Sequence, residues 1–233
     1  NELGFPVMHT VATSCRERLQ PRDFEFILQT LTGDRGGGPE LESLFEDPGS
    51  LLAVLDHEQV VKAVLELPFP LSISPELYFF VLVRRSLKHA GIDDAIIADY
   101  VAATLASHAA ANPLGPMRLD KPDADFTYHV DFLEALEGIS DYDRFFLEVQ
   151  CGNHFLVLTG LFPKFLRHRA DRRGAPDVRY YEGVARSAFL KAGGHPLADE
   201  FAVGSIYPRL AECFTETRRA LNRMAEDYLF LGA

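Results

Sequence analysis

The sequence predicts an all-α protein, a bundle of about nine or ten helices with no β-sheet. Along most of the chain, apolar residues recur at intervals of three and four, the repeat of a helix with one buried face. Proline, serine and aspartate mark the starts of these segments, and glycine or proline marks their ends. The alternation typical of a half-buried strand is nearly absent. The chain has 233 residues, 47% of them apolar, and its 18 Phe and 8 Tyr suffice for a packed core.

Five helices are predicted in the first half of the chain. Pro21 suits the first turn of a helix, and Asp56 is expected to cap another. Ser74 followed by Pro75 is a strong start signal, because serine caps free amide groups and proline needs no donor at the first helical position. Gly91 should end that helix in a left-handed conformation. The predicted helices lie at about 21–32, 39–47, 56–66, 75–90 and 93–110.

Five more helices are predicted in the second half. Gly160 and Pro163 fall inside one of them and should kink or split it, because proline lacks a backbone donor and clashes with the preceding turn. Gly193, Gly194 and Pro196 separate the last two. The predicted helices lie at about 127–137, 141–151, 154–170, 178–192 and 205–230.

The domain organisation follows from the breaks between helices. Proline and glycine within 112–116 end the fifth helix, and 117–125 has the composition of a loop. We therefore predict one all-helical domain over 1–233, with a candidate division into two halves at 1–112 and 123–233.

The charge balance bears on which partners the chain can bind. Lys and Arg number 23 and Asp and Glu 34, so the net charge is −11. A chain this acidic repels nucleic acids and anionic membranes on average, and we expect neither as a partner. Apolar runs such as 77–83 and 155–158 are far shorter than the ~20 residues that a membrane span needs.

Cysteine usage indicates the compartment. Cys15, Cys151 and Cys213 are widely separated and form no CxxC pair, which argues against a disulfide framework or a zinc site and suits a reducing environment. Residues 1–15 lack the basic start and continuous apolar stretch of a signal peptide. We therefore expect a cytoplasmic protein.

Several catalytic and cofactor motifs are missing from the sequence. It contains no GxxxxGK, no HExxH and no GxSxG, and no Glu is followed by His three residues later, as a helical di-iron site requires. The sequence therefore predicts no cofactor and no metal, assigns no catalytic residue, and favours a protein that is not an enzyme.

The segment 164–191 is the strongest candidate site. Eight basic residues against three acidic ones give it a net charge of +5, which leaves −16 for the rest of the chain. Arginine offers bidentate contacts to anions, and tyrosine offers a face for stacking. The alternative is that these arginines complement the end of a helix and pair with nearby acids. The predicted binding residues are Arg167, His168, Arg169, Arg172, Tyr180 and Tyr181.

A second candidate is Arg84 with His89, near the end of the Ser74-capped helix. Arg-x-x-x-x-His resembles the pattern of HEPN-type helical ribonucleases, in which arginine positions the phosphate and histidine transfers protons. The resemblance implies a metal-independent ribonuclease that uses Arg84 and His89. The alternative is that cations in a last turn simply favour the negative end of the helix dipole.

Two smaller clusters also contain residues with chemical potential. If a helix begins early enough, Asp125 and His129 lie on one face and could share a divalent metal, with Asp123 and Asp131 nearby; helix-dipole stabilisation is the simpler explanation. Cys151 and His154 have the residue types of a nucleophile and base, yet phenylalanine and leucine flank them, which favours a place in the core.

One stretch resembles a known group of sequences. Gly160, Phe162, Pro163 and Arg167, followed by Tyr180-Tyr181 and Gly183, resemble a Gly-x-Phe-Pro…Arg…Tyr-Tyr…Gly arrangement in a group of uncharacterised bacterial helical proteins. The similarity covers about 127–192 and implies a helical fold, with no activity and no catalytic residue carried over.

These observations favour a non-enzymatic cytosolic protein that acts through contacts made by the basic segment 164–191. Expected partners are an acidic protein, a second copy of the chain or a small anion, by charge complementarity. The alternatives are the ribonuclease that uses Arg84 and His89, and a small-ligand pocket between the two helical halves, lined by Phe and Tyr.

Overall fold

The structure is a computed structural model that describes residues 11, 14–33, 43–67, 72–111, 132 and 136–229. Over these residues it contains eleven α-helices and no strand, which confirms the predicted all-α fold. Most of the predicted helix at 127–137 and all of the predicted loop at 117–125 lie outside the described residues. Contacts divide the chain into two compact units, one formed by 14–111 and the other by the remaining residues. The predicted division at 1–112 and 123–233 stays a prediction.

The unit at 14–111 is built around one buried helix, α4. The Ser74 hydroxyl caps α4 as predicted, accepting a hydrogen bond from the Leu77 backbone amide at 3.1 Å. Most of the α4 side chains from Leu77 to Leu87 are buried, and α4 packs against α5. The helices of this unit are α1 (Pro21–Thr32), α2 (Pro48–Leu55), α3 (Glu58–Leu65), α4 (Pro75–His89) and α5 (Ala95–Ala111).

Helix α2 was not predicted, and the cap of α3 differs from the prediction. Asp47, expected to end a helix, begins α2, since its carboxylate accepts from a backbone amide of the first turn at 2.7 Å. Asp56 was expected to cap α3, but His57 does so through Nδ1. The Asp56 carboxylate is bound instead by Arg84 at 3.1 Å and by Lys88 at 2.6 Å.

Two buried carboxylates join separate parts of this unit. Asp23 accepts hydrogen bonds from the backbone amides of Gln20 at 2.7 Å and Ser74 at 2.6 Å, which ties the start of α1 to the start of α4. Asp99 on α5 accepts from the backbone amide of Cys15 at 2.8 Å. Each buried carboxylate therefore finds backbone donors, as burial of a charge requires.

The second unit is organised around two long helices, α6 and α8, which pack along each other. A Cβ on Gly152 would lie only 2.8 Å from the Phe189 ring, so this approach needs glycine. The predicted break between 151 and 154 is wrong, because α6 continues through this contact. The single helix predicted at 205–230 is interrupted at Cys213. The helices are α6 (Asp141–Leu161), α7 (Pro163–Arg173), α8 (Val178–Gly193), α9 (Leu197–Glu200), α10 (Ile206–Glu212) and α11 (Phe214–Met224).

A 90° bend separates α6 from α7, at the position that Gly160 and Pro163 predict. Pro163 has no N–H to bind the Thr159 carbonyl, as a continuous helix would require. Asn222 on α11 supplies the missing donor: its Nδ2 donates to the carbonyls of Thr159 at 2.8 Å and Gly160 at 2.6 Å. No single described helix is long and apolar enough to cross a membrane, although α6 and α7 together reach that length and composition.

Candidate functional site

The basic face of α7 consists of side chains three and four residues apart that are all exposed. They therefore share one side of the helix. Neither His168 nor Arg172 makes a hydrogen bond or ion pair with another described residue, and Arg167 reaches only its own helix, the Pro163 carbonyl at 3.4 Å. This face comprises Lys164, Arg167, His168, Asp171 and Arg172.

Arg169 lies on the opposite side of α7, away from the basic face. Its side chain is 6% exposed, and its guanidinium is 5.5 Å from the centre of the Phe165 ring. Leu166, also on this side, is buried. Among the four predicted residues of α7, the structure therefore brings Arg167, His168 and Arg172 together and places Arg169 in the interior.

Other cations of the basic segment have internal partners. Arg186 donates to the Ala211 carbonyl at 2.9 Å, which satisfies a carbonyl near the end of α10. Lys191 contacts Glu148 of α6 at 3.2 Å. These contacts stabilise the unit. The charges of Arg186 and Lys191 are therefore less available to a partner than those of the basic face of α7.

Tyr180 and Tyr181 point in different directions because successive residues of a helix are about 100° apart. Tyr180 is 45% exposed, and Tyr181 is 1% exposed with its ring stacked on Phe155 at 5.1 Å. The tyrosine pair therefore does not form one stacking surface. Tyr180 is at the surface, and Tyr181 is part of the core.

A groove of about 440 Å³ lies between α6 and α8, with Tyr180 among its lining residues. Phe132 and Leu136 contribute further apolar surface. From α6 the lining residues are Leu147, Glu148 and Cys151. From α8 they are Arg179, Tyr180, Gly183, Val184, Ser187, Ala188 and Lys191.

The electrostatics of the groove are set by Glu148 and Lys191. Burial raises the pKa of the Glu148 carboxyl above its usual range, and the nearby Lys191 and Arg144 only partly offset this effect. Burial, and then the charge of Glu148, raise the pKa of the Cys151 thiol, so this cysteine is a poor nucleophile. The groove is therefore suited to binding, and the predicted place of Cys151 in the core is confirmed.

The two residues proposed for a ribonuclease, Arg84 and His89, are not arranged as a phosphate-binding site would require. Arg84 is 6% exposed, and carboxylates of Asp56 and Asp93 contact its Nη2 at 3.1 and 2.6 Å. His89 is exposed at the end of α4. Because two carboxylates already neutralise the guanidinium, the geometry does not favour a role for Arg84 in phosphate binding.

The predicted metal cluster, which comprises Asp123, Asp125, His129 and Asp131, lies outside the described residues. Within the ranges that the structure describes, no group of three or more His, Cys, Asp or Glu side chains could hold a metal ion. The prediction that the protein uses no metal and no cofactor stays a prediction.

Sequence reasoning missed the groove. Glu148 was assigned no role, although an acidic residue within a run of apolar residues on a long helix is a signal of a buried ion pair. Gly183 and Ser187, four residues apart on α8, are small residues that leave a helix face open. Neither signal identifies which helix packs opposite, so the groove itself requires the fold.

The chain matches no protein-family model, no curated protein and no solved structure at a significant level. The resemblance to bacterial helical proteins with the Gly-x-Phe-Pro arrangement therefore stays a resemblance.

Proposed function

We propose that this protein is a non-enzymatic, cytosolic interaction protein that binds an acidic protein surface through the basic face of α7. The observation that carries the proposal is the row of exposed basic side chains at three- and four-residue spacing along α7, in a chain whose net charge is −11. Such a face attracts and orients an acidic partner over a distance of about one screening length, roughly 10 Å at 0.1 M salt.

Helix stability does not account for this face. Cations stabilise the last turn of a helix, where the dipole is negative, and Arg172 falls there. Lys164 lies in the first turn of α7, where a cation opposes the dipole, and Arg167 and His168 lie in the second turn, where neither end of the dipole acts strongly. The dipole therefore accounts for Arg172 but not for Arg167 or His168, which supports a role for this face outside the fold.

An acidic protein suits the face better than a nucleic acid. The eleven residues of α7 span about 16 Å, enough to meet a few charges on a compact surface. An extended polyanion would also meet the remaining −16 of the chain and be repelled. The acidic surface belongs to a second copy of this chain or to another protein, and the experiment below distinguishes the two sources.

Binding without catalysis is supported by the state of the candidate reactive groups. All three cysteines are free thiols, which suits a reducing cytosol. Burial raises the pKa of Cys15 and Cys151, and carboxylates hold Arg84. The small-ligand pocket between the two helical halves stays a prediction.

The test is a double charge reversal, Arg167→Glu with Arg172→Glu, compared with a matched reversal of two exposed arginines on α11, Arg219→Glu with Arg223→Glu. Both variants change the net charge equally. Self-association is followed by light scattering at low salt and at about 1 M salt, where the screening length falls to about 3 Å. Binding of labelled polyglutamate and of a labelled single-stranded oligonucleotide is followed by fluorescence anisotropy.

Salt-sensitive self-association that only the α7 variant loses would identify a second copy as the partner. Polyglutamate binding by a monomer, weakened about tenfold only in the α7 variant, would indicate a separate acidic protein, because two exposed pairs of about 0.2–1 kcal/mol each become repulsive. Tighter binding of the oligonucleotide than of polyglutamate, equal effects of the two reversals, or no binding at all would each contradict the proposal.

A further inference from the structure

The groove between α6 and α8 has an open middle. A Cβ built on Gly183 would meet no atom of the described residues within 4 Å, so none of them fills the space above this glycine. The groove volume, about 440 Å³, falls within the roughly 300–1,000 Å³ typical of small-molecule sites. The space is therefore large enough for a ligand with an extended body.

The surface beneath this space is apolar. Phe132, Leu147, Val184 and Ala188 line it and are themselves buried. The ring of Tyr180, nearly half exposed, lies at the same groove. Because contact with such surface favours hydrocarbon, the body of a suitable ligand is apolar.

The charges of the groove differ between its two ends. Arg179 and Lys191 are twelve residues apart on α8, which places them about 18 Å apart along the helix axis. At the far end, the Glu148 carboxylate is 3.2 Å from Lys191 and neutralises it. Arg179 is exposed and makes no hydrogen bond or ion pair with any described residue. The uncompensated charge of the groove is therefore positive and belongs to Arg179.

Arg179 lies at the start of α8, close to the residue that caps the helix. It is the second residue of the helix, at the positive end of the dipole, where a cation is unfavourable. The Asp177 carboxylate already caps this end of α8, accepting from the Tyr180 backbone amide at 3.0 Å, so an anion bound here would be held by the Arg179 guanidinium. Glu148 does not offer a competing site for an ammonium group, since Lys191 already occupies its carboxylate.

We propose that the groove binds an amphipathic monocarboxylate, with its carboxylate at Arg179 and its apolar chain along the α6–α8 floor past Gly183. This site uses no residue of the α7 basic face, so the ligand proposal can be tested independently of the proposed interaction function. It adds a small-molecule ligand to a protein otherwise proposed to bind a macromolecule.

The experiment uses decanoate as the probe, below its micelle-forming concentration, with decanol and decylammonium as comparators of the same chain length. Binding to the full chain is measured by isothermal titration calorimetry. Arg179→Gln removes the anchoring charge, and Gly183→Leu fills the open space with a residue that favours helix. Arg219→Gln, an exposed arginine on α11, is the control for loss of one positive charge.

The proposal predicts that decanoate binds more tightly than either comparator. Arg179→Gln should weaken the binding of decanoate about tenfold, which is about the effect of one lost charged contact, and leave the binding of decanol unchanged. Gly183→Leu should weaken the binding of both ligands by at least about tenfold. Arg219→Gln should change the affinity for neither. Circular dichroism establishes that each variant is folded. The proposal is overturned if decanoate does not bind, if decylammonium binds most tightly, or if neither Arg179→Gln nor Gly183→Leu changes the affinity for decanoate.

Discussion

Replacing Asn222 tests how the bend between α6 and α7 is stabilised. In Asn222→Ala, the carbonyls of Thr159 and Gly160 both lose the amide that binds them, and Pro163 cannot take its place. Each buried carbonyl left without a donor costs about 1–3 kcal/mol. We expect a loss of about 2–4 kcal/mol in the free energy of unfolding, toward the lower part of the summed range, because Asn222 is half-buried and water can reach it.

The assay is urea denaturation followed by circular dichroism, with the free energy of unfolding taken from the midpoint and the slope. Asn222→Asp is the informative companion variant. It keeps an oxygen acceptor for Arg218, which donates to Asn222 at 2.7 Å, but it removes both donors to the carbonyls. If donation to the carbonyls stabilises the bend, Asn222→Asp is at least as destabilised as Asn222→Ala at neutral pH. An Asn222→Asp protein within about 0.5 kcal/mol of the wild type would refute the reasoning, since changes of that size are ordinary for surface substitutions.

Two further predictions concern titratable groups. Burial alone would raise the pKa of Asp56, but its hydrogen bonds and charge interactions with Arg84 and Lys88 outweigh this and lower it; its stabilising contribution is therefore present at neutral pH and lost as the pH falls below about 4. Asp56→Asn should accordingly be less stable than the wild type at neutral pH and lose less stability on acidification. The control is Asp227→Asn, which changes an exposed aspartate and should lose stability with pH in parallel with the wild type. The prediction is contradicted if Asp56→Asn also stays parallel to the wild type down to about pH 2. Cys15 and Cys151 are buried thiols whose pKa values burial raises, so in the native protein at pH 8 both should react with iodoacetamide far more slowly than in denaturant. Mass spectrometry of the labelled peptides measures this, and rapid native labelling of Cys151 would show that the groove is more open than the structure indicates.

Signals that act within one turn of helix predicted the fold well. Ser74 and Pro75 begin α4 because capping depends on a few neighbouring residues. Pro163 breaks the chain between α6 and α7 for an equally local reason, the missing N–H. These signals, together with the helical spacing of apolar residues, were sufficient for the all-α class.

Features that depend on distant partners could not be predicted from the same signals. Aspartate is a common capping residue, but Arg84, 28 residues away, binds the Asp56 carboxylate, and His57 caps α3 instead. Gly152 locally predicts a helix break, but in the fold the Phe189 ring packs against it and the helix continues. In both cases a contact made by the fold outweighs a local preference.

The candidate site was predicted in part. Helix geometry decides which of the predicted residues are exposed and which are buried. A basic run in the sequence does not show which residues share a face until the bounds of the helix are known. Once α7 begins at Pro163, the 3.6-residue repeat puts Arg167 and Arg172 on the outside and Arg169 on the inside. The groove required more, because its two walls come from helices whose pairing is a property of the whole unit.

The contacts of Asp23 and Asp99 also bear on the order in which the first unit folds. The bond from Cys15 to Asp99 closes a stretch of 84 residues, and the bond from Ser74 to Asp23 closes one of 51. Bringing such distant points together costs more chain entropy than forming a helix, so these bonds are favourable only after α4 and α5 have paired. The described segment 14–20, which precedes α1, is thus expected to dock last during folding and to detach first when the protein opens in its native state.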